Sequence, residues 1–267
     1  MVKVIICGAA GRMGRRLVAN VLEHPDFELT GAVEYAASPE LGKDAGVLAG
    51  VGECGVKVTA DISPLLKNCD AVINFATAGV VECAELCAKN RCAIVIGTTA
   101  LTADDRSTLG RLAGAGCRIV AASNMSVGVN LLFKLAKEAT RILGNAYDVE
   151  IVEMHHNQKK DAPSGTAVRL AEVVCEARNW NYDEDVRHGR VGMVGKRTGH
   201  EIGMHSLRGG DVVGDHTVIF AVDGERVELT HKASSRDTFA KGALRAAAFL
   251  KDAAPGLYDM QDVLGLK

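Results

Sequence analysis

The first 34 residues leave few folds open. The run VKVIICG (Val2 to Gly8) is short, β-branched and apolar, and it ends in glycine. The segment RMGRRLVANVLEH follows with Met13, Leu17, Val18, Val21 and Leu22 at helical spacing. FELTGAVE then reads as a second strand ending at Glu34. The alternation continues through DAVINFA (Asp70 to Ala76), a helix from about Val80 to Lys89, and CAIVIGTT (Cys92 to Thr99). A helix near Asp104 to Ala113 and the run CRIVAAS (Cys117 to Ser123) complete it. Continuous apolar strands separated by amphipathic helices predict an α/β, Rossmann-like domain with a parallel sheet covered on both faces.

GAAGRMG places Gly8, Gly11 and Gly14 between the first strand and the first helix. Glycine lets the chain turn tightly there and lets a pyrophosphate approach the amides at the positive end of the helix. The spacing is G-x-x-G-x-x-G, with Ala10 where a middle glycine is usual. Such a motif is weak alone, and a ligand-free βα turn is its bland alternative. Here strand, helix and acid are all in place, since Glu34 ends the second strand where a carboxylate can bind ribose hydroxyls. The turn predicts dinucleotide contacts from Gly8, Ala9, Ala10, Gly11, Arg12 and Met13, together with Glu34. NFATAG, GTTA and ASNMS fall at the ends of later strands. They offer Phe75, Gly97, Thr98, Thr99, Ala122, Ser123, Asn124 and Met125 to a nicotinamide and its ribose; ordinary turn chemistry is the alternative for any one of them.

The pattern changes after Asn124. A long helix covers VGVNLLFKLAKEATRIL, and the strand YDVEIVEMHH follows. Ser164 or Thr166 opens a helix through AVRLAEVVCEA. Then come EIGMHSLR, HTVIFAVD and ERVELTHK, the last two joined by Asp223-Gly224, a two-residue hairpin signal. Strands without intervening helices predict an α+β domain with a mixed, largely antiparallel sheet. DTFAKGALRAAAFLKD closes the chain as an amphipathic helix.

EMHHNQKKDAPSGTA (Glu153 to Ala167) gathers two histidines, two lysines and a Ser-Gly-Thr helix opening. Free amides at a helix start, with His155, His156, Lys159 and Lys160 nearby, form a site for a small anion such as a carboxylate. Histidine can also donate a proton near neutral pH. A metal is the competing reading of His-His, but adjacent strand residues point to opposite faces, so one ion could not easily take both. A solvated loop with a helix cap explains the lysines but not the histidines beside that cap.

A net charge of -2 and 4% aromatic residues exclude a nucleic-acid or anionic-membrane surface. The eight cysteines, Cys7, Cys54, Cys69, Cys83, Cys87, Cys92, Cys117 and Cys175, sit mostly in apolar runs without a C-x-x-C pair. Cys83, Cys87 and Cys92 come nearest to ligand spacing, yet no second cluster supports a metal. Buried free thiols suit a reducing compartment, and the chain begins in a strand without a signal-like segment, so a cytoplasmic protein is expected.

The segment EMHHNQKKDAPSGTA, with GAAGRMGR, VIGTTAL, ASNMSVGVNLL, RGGDVVGDHTVIF, ELTHKASSRDTFAKGA and GLYDMQDVLGL, resembles the 4-hydroxy-tetrahydrodipicolinate reductase (dihydrodipicolinate reductase) family over essentially the whole chain. The resemblance implies hydride transfer from NADH or NADPH to a cyclic dicarboxylic acid with loss of water, toward diaminopimelate and lysine. It implies a cofactor domain of residues 1–125 plus 236–267, and a substrate and homotetramer domain of residues 126–235. By motif position, His155 matches the proposed proton donor and Lys159 the catalytic lysine, while His156, Ser164, Gly165 and Thr166 match substrate contacts. Arg236 could add to these, and Met125 to Gly128 and Ser234 to Arg236 are plausible hinges. Aspartate or homoserine dehydrogenases lack the histidine segment. A non-catalytic NAD-binding sensor would not need His155 and Lys159 intact. The chain departs from the family where Tyr35 follows Glu34 in place of a frequent arginine, and where NFATAG replaces a D-F-T form. Both departures predict NADH preferred, with NADPH tolerated through Arg12, Arg15 or Arg16.

Overall fold

A computed structural model describes residues 1–98 and 101–267. In chain order the elements are β1 (Val2–Cys7), α1 (Arg12–Glu23), β2 (Phe27–Val33), α2 (Ala45–Ala49), β3 (Val58–Thr59), β4 (Ala71–Asn74), α3 (Val80–Lys89), β5 (Ala93–Ile96), α4 (Ala103–Gly114) and β6 (Arg118–Ala121). They continue with α5 (Val127–Leu143), β7 (Asp148–His155), α6 (Gly165–Arg178), α7 (Tyr182–Asp185), β8 (Val186–His188), β9 (Ile202–Arg208), β10 (Gly214–Val222) and β11 (Glu225–Ala233). The chain ends in α8 (Asp237–Asp252), β12 (Gly256–Tyr258) and α9 (Met260–Leu264). Two compact units result: Met1–Val127 with Arg236–Lys267, and Gly128–Ser235.

The sheet of the first unit has the order β12-β6-β5-β4-β1-β2-β3, with parallel pairing throughout. Every residue of β4 and β5 is buried, the mark of strands covered on both faces. One face packs on α1 and α8 through Val4, Ile6, Leu17, Val18, Ala243 and Leu244; the other carries Ile5, Val72, Ile94, Cys83, Cys87 and Leu109. The α1 stripe of Leu17, Val18 and Val21 is at most 1% exposed, and each such side chain contributes about 1.5–3 kcal/mol of burial. Pro25 cannot continue α1, which stops at Glu23. Small residues let α8 lie close: a methyl on Gly242 would meet the Met125 carbonyl oxygen at 1.7 Å. Strand order reverses between β1 and β4, where such sheets bind ligands.

The second unit has a five-stranded sheet in the order β11-β10-β7-β9-β8. The β11–β10 and β10–β7 pairs are antiparallel, whereas β7–β9 and β9–β8 are parallel. The sheet is therefore mixed, with two antiparallel and two parallel pairings. The crossover through α6 returns the chain to run alongside β7 in the same direction, which a hairpin cannot do. Val222 pairs with Glu225 across Asp223-Gly224, and Gly224 takes φ +92°. Along β7, Val149, Ile151, Glu153 and His155 are buried while Asp148, Glu150, Val152 and Met154 are half-buried. The inward series thus changes from apolar to ionisable midway. The short strands β3, β8 and β12, two or three residues each, carry no readable period in the sequence.

Candidate functional site

In the first unit the glycine turn closes on the end of β2. The amides of Gly8 and Ala9 both donate to the Val33 carbonyl, and Gly11 donates back to that of Gly8. Gly8 lies at φ +74°, a left-handed conformation that glycine adopts without steric cost. A methyl on Gly14 would sit 2.0 Å from the Gly8 carbonyl oxygen and 2.6 Å from the Ala9 Cα. Gly11 caps α1, and the first turn of the helix holds no acid. The turn from Gly8 to Gly11 therefore presents backbone and methyl groups only, at a positive helix end, which fits a pyrophosphate.

Glu34 reaches this turn. Its carboxylate accepts the Ala10 amide at 3.0 Å and its neighbour Tyr35 at 3.2 Å. Among the nearby arginines, Arg15 donates to the Ala10 carbonyl and lies 3.7 Å from Glu40, while Arg16 makes a two-pronged pair with Asp237 at 2.6 Å. Arg12 and Tyr35 are exposed. Next to the turn, the Phe75 ring packs flat on Gly97, where a methyl would lie 2.2 Å from the ring. The Ala122 amide donates to the Ile96 carbonyl, and Asn124 accepts the Ser126 amide at 2.8 Å. Thr98 and Met125 are buried and Ser123 is exposed. Thr99, an expected contact, lies outside the described residues.

In the second unit the centre is Glu153, with no exposed surface. His155 Nδ1 lies 2.6 Å from one of its oxygens. Arg208 donates to both oxygens at 2.8 and 2.9 Å, and the Ser164 amide donates at 3.1 Å. Burial works to raise the Glu153 pKa, but the bonds from His155, Arg208 and Ser206 outweigh it and hold it lowered at about 2. Alternation places Glu153 and His155 on one face, parallel pairing sets His155 beside Arg208, and antiparallel pairing sets Glu153 beside His216. Close to His155 stands Gly214, where a methyl would be 3.0 Å from the His155 Nε2.

The loop after β7 brings the remaining groups. Lys159 pairs with Asp161 at 2.8 Å, and Arg208 also holds the Asp161 carbonyl at 2.7 Å. The Ala162–Pro163 peptide is cis. Ser164 caps α6 by accepting the Ala167 amide at 3.2 Å, and its hydroxyl lies 2.9 Å from His216 Nε2. Gly165 is exposed; Thr166 and His156 are half-buried.

Thus His155, Ser164, Gly165 and Thr166 gather about one helix start, as expected from the sequence. Glu153, Arg208 and His216 were not expected. Only Glu153 carried a signal, being two residues before His155 and so on the same strand face. Among the described residues, no three of His, Cys, Asp or Glu form a group able to hold a metal ion. Nor is any described helix long and apolar enough to cross a membrane.

Comparisons with known proteins cover both units. The family profile described as "Dihydrodipicolinate reductase, N-terminus" matches residues 2–125, and "Dihydrodipicolinate reductase, C-terminus" matches residues 128–264. A 4-hydroxy-tetrahydrodipicolinate reductase of Syntrophotalea carbinolica is 52% identical, with 100% of each chain covered. Its counterpart in Geotalea daltonii is 50% identical with the same coverage. The dipicolinate-bound dihydrodipicolinate reductase from Paenisporosarcina sp. TG-14 superposes with a TM-score of 0.77 at 26% identity, covering 98% of each chain. A probable dehydrogenase from Thermotoga maritima, with TM-score 0.65 and 14% identity over 99% of this chain and 93% of its own, shares the fold.

Proposed function

The chain belongs to the dihydrodipicolinate reductase family, and on that premise we propose that its first unit holds the nicotinamide nucleotide and its second the dicarboxylate. The reaction is the reduction of 4-hydroxy-tetrahydrodipicolinate to tetrahydrodipicolinate by NAD(P)H with loss of water, in diaminopimelate and lysine biosynthesis. A bound nicotinamide supplies the hydride. The chain's own residues position the substrate and manage the proton.

The observation that carries the assignment of roles is the Glu153–His155 pair beside the start of α6. An ionised carboxylate only accepts, so His155 bears its proton on Nδ1. Nε2 is then the nitrogen that exchanges a proton, and Gly214 leaves it room. Glu153 orients the ring. The α6 amides with Ser164, Gly165 and Thr166 hold one carboxylate, aided by His156 and by Lys159, whose ammonium Asp161 keeps in place. In the nucleotide site Gly8 to Met13 cradle the pyrophosphate, and Phe75, Gly97, Thr98, Ala122, Ser123, Asn124 and Met125 surround the nicotinamide half.

The test is turnover of His155→Ala and Lys159→Ala beside their NADH affinity. Turnover falls by roughly 10²–10⁴ in each, as for loss of a positioned acid or charge, while NADH still binds. Near-wild-type turnover in both variants would refute these roles.

NADH is the preferred cofactor on this reading. Glu34 faces the turn, Tyr35 follows it, and Arg15 and Arg16 are already engaged, which leaves Arg12 as the cation for a 2′-phosphate. The second unit also assembles a homotetramer. Its sheet has a second face with half-buried Val152, Met154 and Ile219, and β11 is an edge strand with Val227 37% exposed. The number four comes from the family resemblance, and sedimentation at micromolar concentration checks it.

A further inference from the structure

Ser164 has two partners within its unit whose joint demand decides where its own proton goes. A hydroxyl accepts twice and donates once. Its oxygen already accepts the Ala167 amide, and His216 Nε2 lies 2.9 Å away. The direction of that second bond depends on which nitrogen of His216 carries hydrogen.

The surroundings of His216 settle the tautomer. The ring is 3% exposed and its Nδ1 is buried without a hydrogen-bond partner. A proton on Nδ1 would be a buried donor with nothing to meet, the rarer and costlier of the two unmet states. A second proton on the ring is opposed by the same burial, which pushes the His216 pKa down to about 3, with His155, His231 and Lys159 acting in the same direction and Glu153 against it. Its neighbours across the ladder are Glu153 on β7 and His231 on β11, and His155 meets it edge-on at 5.2 Å. The neutral ring therefore holds its hydrogen on Nε2. Both acceptor positions of the Ser164 oxygen are then filled.

We propose that His216 is a positioning residue, a fixed Nε2–H donor that leaves the Ser164 hydroxyl proton free to donate to a carboxylate of the substrate. This rests on the reading of Ser164 as a substrate contact. Without His216 the hydroxyl would be free to turn and offer that carboxylate a lone pair.

His216→Phe keeps a ring of similar bulk and cannot donate. Its expected effect is a rise of about tenfold in KM for the dicarboxylate, the worth of one hydrogen bond to a charged group, with KM for NADH unchanged. His216→Gln carries an amide N–H to the place of Nε2 and largely restores KM. Ser164→Ala raises KM by a like factor, and the double variant Ser164→Ala/His216→Phe goes no further, since both changes remove one interaction. Additive effects, or a wild-type KM in His216→Phe while Ser164→Ala is impaired, overturn the proposal and leave the Ser164 assignment standing. A wild-type KM in Ser164→Ala overturns that assignment itself. Folding of the variants does not limit the test, because the imidazole ¹⁵N shifts of the unsubstituted protein report the tautomer. Hydrogen on Nε2 across the neutral range is expected, and hydrogen on Nδ1 sinks the idea.

Discussion

The glycine turn of the first unit and the histidine cluster of the second, the two proposed anion sites, are built by opposite means. The turn uses backbone: Gly8 to Gly11 carry nothing larger than a methyl group, and the start of α1 supplies the positive charge. The cluster uses side chains, and its groups are far apart in sequence. Arg208 reaches Glu153 across 55 residues, and His216 reaches Ser164 across 52. A backbone site is stable so long as the local turn is. A site of buried ionisable groups holds only if every partner arrives, because each unmet charge costs more than its pair contributes. Damage should therefore spread through the cluster and stay local at the turn.

The largest expected effect is that of Glu153→Ala. It leaves Arg208 and His155 without their acceptor, and removing one partner of a buried pair costs about 3–5 kcal/mol. Urea unfolding measures it; a loss below about 1 kcal/mol would mean the cluster tolerates a missing member as easily as a surface pair does. Gly14→Ala comes next. Its methyl would meet backbone at 2.0 Å, which the turn relieves only by opening, at about 1–3 kcal/mol, with weaker NADH binding and unchanged affinity for a dicarboxylate. Calorimetric titration with each ligand separates the two, and equal loss of both would erase the distinction between the sites.

Acid should find the cluster before the turn. Burial pushes the His216 pKa down from 6.5 to about 3, so the unfolded ring takes up a proton at a pH where the folded one does not. Stability from this group is whole above about pH 6.5 and is lost as pH falls toward 3. Glu150 and Glu153 follow. Burial acts to raise both, but hydrogen bonds from Arg190, His205 and Arg197 to the one, and from His155 and Arg208 to the other, leave each at about 2. Their contribution is whole above 4.5 and is lost as pH falls through about 2. Melting temperature against pH should decline from about 6.5, and His216→Phe should flatten that first stage. A flat wild-type profile down to pH 4.5 would contradict it.

The smallest effect concerns the turn's choice of nucleotide. Tyr35→Arg adds a guanidinium beside Glu34 and should move the kcat/KM ratio toward NADPH by about tenfold, the worth of one charge-assisted contact to a 2′-phosphate. An unmoved ratio would place the decision with Arg12.

The parallel sheet, the turn and the hairpin at Asp223-Gly224 were legible because their signals are local. Apolar runs, helical spacing and glycines at bends need no knowledge of the rest of the chain. The family resemblance likewise pointed to His155, Lys159 and Ser164 from one contiguous segment. Less legible was the direction of β9. Its alternation reads the same whether it runs with β7 or against it, and only the crossover through α6 decides. The arginines of α1 looked alike in sequence, yet Asp237 takes Arg16 from 221 residues away.

By itself, then, the sequence determined the two kinds of element and the residues at the two helix starts, while the family resemblance pointed to His155 as the candidate proton donor. Each depends on residues a few positions apart, where backbone geometry alone sets the distance. The tertiary structure decided which partners those residues keep. It buried Glu153 against His155 and Arg208, set Gly214 close to the His155 Nε2, and shut His216 away from solvent beside Ser164. Ionisation and proton direction depend on burial and on long-range pairing, and neither can be read from the order of residues along the chain.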